Sequence, residues 1–309
     1  MRLLGLALVL LAFDAQAAAL STPAIHGVVK AGTPIQIMGE SFAGTEGPVA
    51  LPDGSLLFTE NRAARVTRIT LDGSVSAYLT NPAGPNALAL NAQGSVVAVL
   101  TAQPGVAIIY PPERAAILVD RADGKPLNRP NDLVIDRQGG VYFTDPGGRP
   151  KPGQPSAATA VYYLSARKEL RLIDSNVGLP NGIQLSPDEK VLYVADTTGE
   201  YLLAYDITAA GVVGERRNFA RLALPADART PAAGADGIAV DVDGRLYVAT
   251  SVGVQVLSAA GAALGVIELP KRPQNLAFAG KSKHDLFVVG QGAVYRIRMR
   301  THGVLSRAK

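Results

Sequence analysis

The stretch "DGIAVDVDGRLYVAT", residues 236–250, consists of two short apolar segments on either side of a tight polar turn. Asp243-Gly244 is a favoured pair for such a turn, so the stretch predicts a β-hairpin. Asp241 ends an alternating run and is expected on its polar side. Asp236, by contrast, stands directly before the first apolar strand, where an unpaired carboxylate is costly to bury. The rest of the chain explains this position by repeating it.

Five other segments have the same order of strand, turn and strand. They are "EGPVALPDGSLLFTE" from Glu46, "NALALNAQGSVVAVL" from Asn86, "NDLVIDRQGGVYFTD" from Asn131, "NGIQLSPDEKVLYVA" from Asn181 and "NLAFAGKSKHDLFVV" from Asn275. A further hairpin can be drawn after each of them, as in residues 64–80. The first residues lie about 39 to 55 residues apart, a period typical of propeller blades with four strands each. The sequence therefore predicts an all-β protein, a six-bladed β-propeller.

The last repeat is short, with only about three strands after Asn275. The early segment "TPIQIMGESF", Thr33–Phe42, is predicted to supply the missing strand and close the ring, which would protect the edges of an open array. We therefore expect residues 19–309 to form a single domain. The Pro/Gly-rich segment Asp145–Ala160 is expected to be a long loop in the third repeat and a candidate lid.

The first 18 residues have the features of a secretory signal peptide. Arg2 provides a positive charge, residues 3–13 form a short apolar run, and Ala15-Gln16-Ala17 resembles a cleavage site. The apolar run is too short to span a membrane. The sequence therefore predicts export to the periplasm or the medium, without stable membrane insertion.

Composition excludes several kinds of chemistry. The 309 residues include no cysteine, so disulfides and Cys-dependent zinc or thiol chemistry are excluded. No Gly-x-Ser-x-Gly motif supports a serine hydrolase. The net charge of +4 is spread along the chain, and no Lys/Arg cluster interleaved with aromatics indicates nucleic-acid binding. The three histidines, His26, His284 and His302, lie outside the repeat starts, which argues against a hydrolase that uses a histidine dyad.

The first residue of each repeat, which we call the slot, is always Asn, Asp or Glu. The six slot residues are Glu46, Asn86, Asn131, Asn181, Asp236 and Asn275. Since the first strand of each blade lines the central channel of a propeller, these side chains are expected to converge at one end of it. Carboxylate and amide oxygens without Cys or paired His suit Ca²⁺ or Mg²⁺. The other interpretation is that these residues only cap strands.

Four of these segments resemble the senescence marker protein/gluconolactonase/luciferin-regenerating-enzyme family. They are "EGPVALPDGSLLFTE", "RPNDLVIDRQGGVYFTDPGG", "LPNGIQLSPDEKVLYVADT" and "GADGIAVDVDGRLYVAT". The resemblance covers nearly the whole chain after residue 18. It implies a six-bladed propeller with a divalent metal in the channel, and many members hydrolyse lactones. The expected cofactor is Ca²⁺, with Mg²⁺, Mn²⁺ and Zn²⁺ as alternatives.

The resemblance also implies roles for single residues. Glu46 and Asn181 match metal ligands, and Asp236 matches the ligand that also serves as general base or nucleophile. Asn131 matches a residue that contacts metal or substrate, and Arg129 matches a substrate-orienting arginine. A Glu-His pair found in the second repeat of many bacterial gluconolactonases is absent here, and the usual "TDPPYG" is replaced by "TDPGGRP". Both departures leave the identity of the substrate open.

Two functions are compatible with these patterns. In the first, the metal polarises the carbonyl of a lactone or related ester, and Asp236 activates water or attacks directly. In the second, the chain is a non-enzymatic exported propeller that binds a ligand or a protein partner and uses the cation only for structure. An arginine beside the slot favours the first, because a structural cation does not require it.

Overall fold

The computed structural model describes residues 20–80, 82–147 and 158–307. Within these ranges the chain is almost entirely β-strand, and the regular helix consists of one 3-10 turn at Pro112–Arg114. The predicted signal peptide lies outside the described residues, as do residues 148–157 of the predicted lid loop. No helix within the described residues is long and apolar enough to cross a membrane.

The strands form six sheets of the kind seen in propeller blades. The chain begins with β1 (Ile35–Gly39), and blade 1 follows with β2 (Glu46–Ala50), β3 (Leu56–Glu60), β4 (Arg65–Ile69) and β5 (Val75–Thr80). Blade 2 contains β6 (Pro85–Leu90), β7 (Val96–Leu100), β8 (Gly105–Tyr110) and β9 (Ala116–Val119). A small hairpin comes next, β10 (Arg121–Ala122) and β11 (Lys125–Pro126). Blade 3 contains β12 (Leu133–Ile135), β13 (Val141–Asp145), β14 (Ala160–Leu164) and β15 (Leu170–Asp174).

The second half of the chain forms the remaining three blades. Blade 4 contains β16 (Pro180–Leu185), β17 (Val191–Asp196), β18 (Tyr201–Ala209), β19 (Val212–Val213) and β20 (Arg217–Arg221). Blade 5 contains β21 (Ile238–Val240), β22 (Leu246–Thr250), β23 (Gly253–Leu257) and β24 (Ala263–Ile267). Blade 6 contains β25 (Asn275–Ala279), β26 (Asp285–Gly290), β27 (Ala293–Arg298) and, on its outer edge, β1.

The first strands of the six blades contact one another in a closed ring around the central channel, in the order β2, β6, β12, β16, β21, β25 and back to β2. Their residues are almost all buried, whereas the fourth strands of blades 1, 2, 3 and 5 expose much of their length. The predicted six-bladed β-propeller is confirmed. Each first strand leads from a slot residue to a turn, so the channel has a slot end and a turn end.

The ring is joined by strands from both ends of the chain. Strand β1, which lies within the segment Thr33–Phe42, pairs antiparallel with β27, with Ile35 opposite Ile297 and Ile37 opposite Tyr295. The arm before β1 packs Ile25 and Val28 into the apolar core of blades 5 and 6. The fourth strand of blade 6 therefore comes from the N-terminal part of the chain.

The apolar core lies between the blades and not within one layer. Six buried clusters correspond to the six blade interfaces: for example, Phe58 of blade 1 and Phe287 of blade 6 belong to one cluster. The other five pair blades 1 and 2, 2 and 3, 3 and 4, 4 and 5, and 5 and 6. Because each blade buries both faces against its neighbours, the first strands are held rigidly and the slot residues have fixed positions.

Candidate functional site

The slot residues lie at the starts of the innermost strands, as their sequence positions predict. Glu46 and Asn275 begin β2 and β25, and Asn181 is the second residue of β16. Asp236 lies two residues before β21, and its backbone N–H donates to the Ala249 carbonyl at 2.8 Å. These four side chains are buried at the slot end of the channel.

A glycine follows the slot in three blades because the neighbouring first strand leaves no room for a side chain. A Cβ on Gly47 would overlap the backbone of Ala87, and one on Gly182 would overlap the carbonyl of Asp236. A Cβ on Gly237 would overlap the side chain of Asn275. The close approach of adjacent first strands therefore brings slot residues of successive blades next to each other.

Glu46 is held by side chains from blade 6. Gln274 Nε2 donates to Glu46 Oε1 at 2.9 Å, and Asn275 Nδ2 lies 3.5 Å from Glu46 Oε2. The backbone N–H of Gly47 also lies 3.3 Å from Oε2. These donors hold the Glu46 carboxylate in one orientation at the slot end of the channel.

Asp236 is a strongly perturbed carboxyl group at the slot end. Burial raises its pKa well above the usual range, and the negative charges of Glu46 and Asp132 raise it further. The guanidinium of Arg272 and a hydrogen bond from Asn181 act in the opposite direction. Three carboxyl groups are therefore close enough to repel one another, which is the electrostatic condition that a divalent cation relieves.

Asp132 is a buried acidic residue that the slot pattern missed. It directly follows Asn131, is 0% exposed, and its Oδ2 lies 3.4 Å from Asn275 Nδ2 of blade 6. Asn131 itself is only half-buried, and its carbonyl accepts from Asn86 Nδ2 at 2.9 Å. Asp132 could have been identified from its position in the repeat, because the residue after the slot is Gly, Ala or Leu in the other five repeats.

The donor set fits a hard divalent cation. Asn181 Oδ1 is buried without a hydrogen-bond partner among the described residues, although Asn181 Nδ2 donates to Thr197 Oγ1 at 3.0 Å. An oxygen left in this way beside Asp236 has the chemistry of a metal ligand. Within the described ranges no group of three or more His, Cys, Asp or Glu side chains is arranged for a metal. The slot end differs in kind from such a group, since it combines the carboxylates of Glu46 and Asp236 with amide oxygens.

Arg129 lies on the segment that leads into blade 3, and Asp145 positions this segment. The backbone N–H of Arg129 donates to Asp145 Oδ1 at 2.7 Å, and that of Asn128 donates to Asp145 Oδ2 at 2.8 Å. Asp145 is 0% exposed, whereas Arg129 is exposed. The exposed arginine side chain therefore extends from a backbone segment that Asp145 fixes.

The same device occurs in two other blades. Asp196, at the end of β17, accepts from the backbone N–H groups of Gly178 and Leu179 at 3.2 and 2.9 Å. Glu60, at the end of β3, accepts from the backbone N–H of Ala43 at 2.9 Å. In each case a carboxylate at the end of the second strand holds the segment that enters the slot. The role of Glu60 was not anticipated from the sequence.

Arg272 is a second arginine near the slot end, and sequence reasoning missed it. It is exposed, its Nη2 donates to the Gly234 carbonyl at 2.8 Å, and its charge acts on Asp236. It precedes the sixth slot by three residues, much as Arg129 precedes the third by two. This shared position before a slot is the sequence feature from which Arg272 could have been predicted.

The two other aspartates of the opening hairpin have structural roles. Asp243 accepts from Arg245 Nη1 at 2.7 Å at an exposed turn. Asp241 was expected on the polar side of its run but is 0% exposed, and it accepts from Tyr247 Oη at 3.0 Å and from Arg245 Nη1 at 3.0 Å. That expectation is wrong because partners from the following strand compensate the buried carboxylate.

Comparison with known proteins identifies the class to which this propeller belongs. The sequence model of the SMP-30/Gluconolactonase/LRE-like region matches residues 44–291, so the chain belongs to this family. A gluconolactonase from Zymomonas mobilis is 28% identical over 309 aligned residues, which cover 91% of this chain and 86% of the relative. A lactonohydrolase from Aspergillus oryzae is 29% identical over 66% of this chain and 52% of its own length. The structure of a gluconolactonase from Xanthomonas campestris superposes with a TM-score of 0.77 at 27% identity, covering 92% of this chain and 98% of that one.

Proposed function

We propose that this chain is an exported, divalent-metal-dependent hydrolase of lactones, with activity like that of the gluconolactonases it resembles. The observation that carries the proposal is the slot end of the channel. There Asn181 Oδ1, which is buried and has no hydrogen-bond partner in the part of the chain that the structure describes, lies beside Asp236, whose ionised form is opposed by burial and by Glu46. Alignment with the gluconolactonase over most of both chains supports the lactone as substrate class.

Four residues would hold the cation: Glu46, Asn181 and Asp236, with Asn131 at the edge of the site. Their oxygens suit Ca²⁺, and Mg²⁺, Mn²⁺ and Zn²⁺ are the alternatives. When bound, the cation would polarise the lactone carbonyl and stabilise negative charge on its oxygen.

The chain's own side chains account for the rest of the reaction. In its ionised form, Asp236 takes a proton from the attacking water, whose oxygen bonds to the carbonyl carbon while the ring C–O bond breaks; the proton passes to the leaving alkoxide and the product is a hydroxy acid. If Asp236 instead attacks the carbonyl carbon itself, the ring C–O bond breaks to leave an anhydride on Asp236, and water then hydrolyses that anhydride to the same hydroxy acid. Arg272 favours that ionised form through its positive charge. Arg129 and the half-buried Asn131 are placed to donate to the hydroxyl or carbonyl oxygens of the substrate.

Export is the part of the proposal that rests on sequence alone. Residues 1–18 have the charge, apolar run and small-residue motif of a signal peptide. Fractionation of bacterial cells that express the full chain checks it: the protein is expected in the periplasm or medium, shortened by about this segment. Full-length protein in the cytoplasm would contradict export without affecting the catalytic proposal.

A metal titration against lactones tests the catalytic proposal. The purified protein is treated with a chelator, and hydrolysis of glucono-δ-lactone and of an aromatic lactone is followed in a pH-stat while Ca²⁺, Mg²⁺, Mn²⁺ or Zn²⁺ is added. We expect hydrolysis of at least one lactone to require the added metal.

The alternative of a non-enzymatic propeller gives a different result in the same experiment. In that case the metal raises the unfolding temperature, but no lactone is hydrolysed above the rate in buffer. Hydrolysis that persists at full rate in excess chelator would instead overturn metal dependence and keep the lactonase.

A further inference from the structure

We propose that the turn end of the channel contains a second binding site, specific for amphipathic carboxylates, separate from the candidate metal centre. The site is a cavity of about 740 Å³. It lies among the turns that follow the first strands of blades 1–3, including Pro52, Gln93 and Gln138, and reaches the C-terminal residues 305–307. A ligand here would be separated from the slot residues by the length of a first strand, on the order of 15 Å.

The floor of the cavity is cationic and buried. Arg307 is only 8% exposed, and its Nη1 and Nη2 donate to the carbonyls of Ser186 and Leu185 at 3.0 and 2.8 Å. Its Nε is buried without a hydrogen-bond partner among the described residues. A buried donor of this kind is costly unless something accepts from it, and an anion in the cavity would do so.

Lys283 is the second cation of the floor. Its Nζ donates to the Val304 carbonyl at 2.8 Å, and burial together with the charge of Arg307 lowers its pKa to about 8. The positive charges of Lys283 and Arg307 therefore repel each other in a region that is largely shielded from water. A bound carboxylate would remove this repulsion.

Three acidic groups lie nearby: Asp136, Glu189 and Asp188, and the last two act on Arg307 by their charge. Asp136 accepts from Tyr163 Oη at 3.0 Å and from the backbone N–H of Gly140 at 2.8 Å. Glu189 Oε1 lies 3.5 Å from Arg137 Nε and 3.7 Å from Arg307 Nη1. Arg137, Lys168, Lys283 and Arg307 line the cavity together with Asp136, while Glu189 and Asp188 act on Arg307 from outside the lining. Four cationic side chains therefore meet three carboxylates, and the local charge is positive.

The backbone conformation of two turns also supports a site in this cavity. The turn position eight residues after the slot is glycine in four repeats, and it is Glu189 and Lys283 in the other two. Both keep a left-handed conformation, with φ of +62° and +49°. Non-glycine residues in this region are strained, and such strain is concentrated at functional positions. The two exceptions to the repeat are thus two members of this charged cluster.

The apolar lining of the cavity determines which kind of anion can fill it. The half-buried Leu90 and Leu118 line it, together with the buried Val134 and Leu164. A phosphate or another compact, fully hydrated anion would leave this surface in contact with water. A carboxylate on an apolar chain or ring satisfies both parts, since its head meets Lys283 and Arg307 and its body covers the leucines.

Calorimetric titration with octanoate tests the proposal, with acetate and inorganic phosphate as probes that lack the apolar part. Titrations are done in chelator with the wild-type protein and with Glu46→Gln, whose weakened metal centre shows whether octanoate binding depends on a cation at the slot end. We expect saturable octanoate binding to both proteins, at least about tenfold tighter than acetate or phosphate because of the buried methylenes. Octanoate binding that is lost in Glu46→Gln, or that is no tighter than phosphate binding, would overturn the proposal.

Two lysines from the same turn give a matched pair of variants. Lys283→Gln removes the buried charge and is expected to weaken octanoate binding by about tenfold or more. Lys281→Gln removes an exposed charge outside the cavity and is expected to leave it unchanged. Equal affinity in a folded Lys283→Gln protein contradicts the site. If that variant does not fold, a crystal structure of the wild type with octanoate decides: its carboxylate must contact Lys283 or Arg307, and any other location overturns the proposal.

Discussion

The slot end and the turn end of the channel are built by the same six strands, yet they carry opposite charge. The slot end has Asp236, whose pKa is raised by burial and by the negative charges of Glu46 and Asp132. The turn end has Lys283, whose pKa is lowered by burial and by the charge of Arg307, and Arg307, whose pKa is lowered by burial and by the charge of Arg137. The stability of the propeller depends little on these charges, because it comes from apolar packing between the blades. Side chains at two positions of each repeat can therefore specialise the two ends independently.

The largest effect is expected from a change that affects both ends together. Deleting Thr33–Phe42 removes β1 and leaves β27 as an exposed edge. We expect aggregation or loss of a cooperative unfolding transition, because an open array exposes unpaired backbone groups. Size-exclusion chromatography and thermal unfolding measure this. A monomeric deletion protein with unchanged melting would show that the ring does not depend on β1.

The next change acts on the slot end alone. Asp236→Asn keeps an oxygen ligand and the side-chain volume but removes the proposed base or nucleophile. Lactone hydrolysis is expected to fall by ~10²–10⁴, the range for loss of a positioned general base. Asp243→Asn, in the same hairpin, is the control and is expected to cost little because Asn-Gly is also a favoured turn. If saturating metal restores full activity to Asp236→Asn, the chemistry belongs to another residue.

Glu46→Gln separates metal affinity from fold at the same end. The substitution removes one of the two charges proposed to bind the cation, so divalent affinity is expected to fall by about tenfold or more. Calorimetry with Ca²⁺ measures the affinity, and thermal unfolding in chelator checks that the fold is kept. Glu40→Gln removes a carboxylate from an exposed pair with Lys271 and serves as control. Unchanged Ca²⁺ affinity would remove Glu46 from the ligand set.

Asp145 and Asp196 allow a finer division within the slot end. Asp145→Asn loosens the segment that carries Arg129 and is expected to lower kcat/KM for the lactone by about ten- to a hundredfold through misplacement. Asp196→Asn loosens the segment before Asn181 and is expected to weaken metal binding first. Kinetics at saturating metal distinguish them, since added metal should rescue only Asp196→Asn. Rescue of both would mean that Asp145 does not position a substrate contact.

The smallest expected effect is a shift in the pH profile. Arg272 lowers the pKa of Asp236 against the combined influence of burial, Glu46 and Asp132. Arg272→Ala therefore raises that pKa, and the rise of activity with increasing pH should move to higher pH. The shift is expected to be below about one unit because Arg272 is exposed and its charge is screened. Arg272→Lys keeps the charge and is the control. A shift to lower pH, or an equal shift in both variants, contradicts this placement.

The sequence by itself determined the repeating part of this protein. Alternating apolar residues and Asp-Gly turns such as Asp243-Gly244 fix strand, turn and strand locally, and six repeats at this spacing predict six blades. The same register placed Glu46, Asn181 and Asp236 at the slot end. These features depend on neighbours within about fifteen residues, and local patterns can express them.

Only the tertiary structure decided which other side chains meet there. Asp132 contacts Asn275 although 143 positions separate them, and Gln274 donates to Glu46 across 228 positions. The closing of the ring brings these pairs together, and no local pattern encodes a contact between two separate repeats. Likewise, Arg307 of the C-terminal segment reaches the turn end by contacts to blade 4. The repeat therefore specifies the propeller fold. The chemistry at each end of the channel arises where side chains from distant blades meet, because their pKa values and hydrogen bonds depend on that proximity.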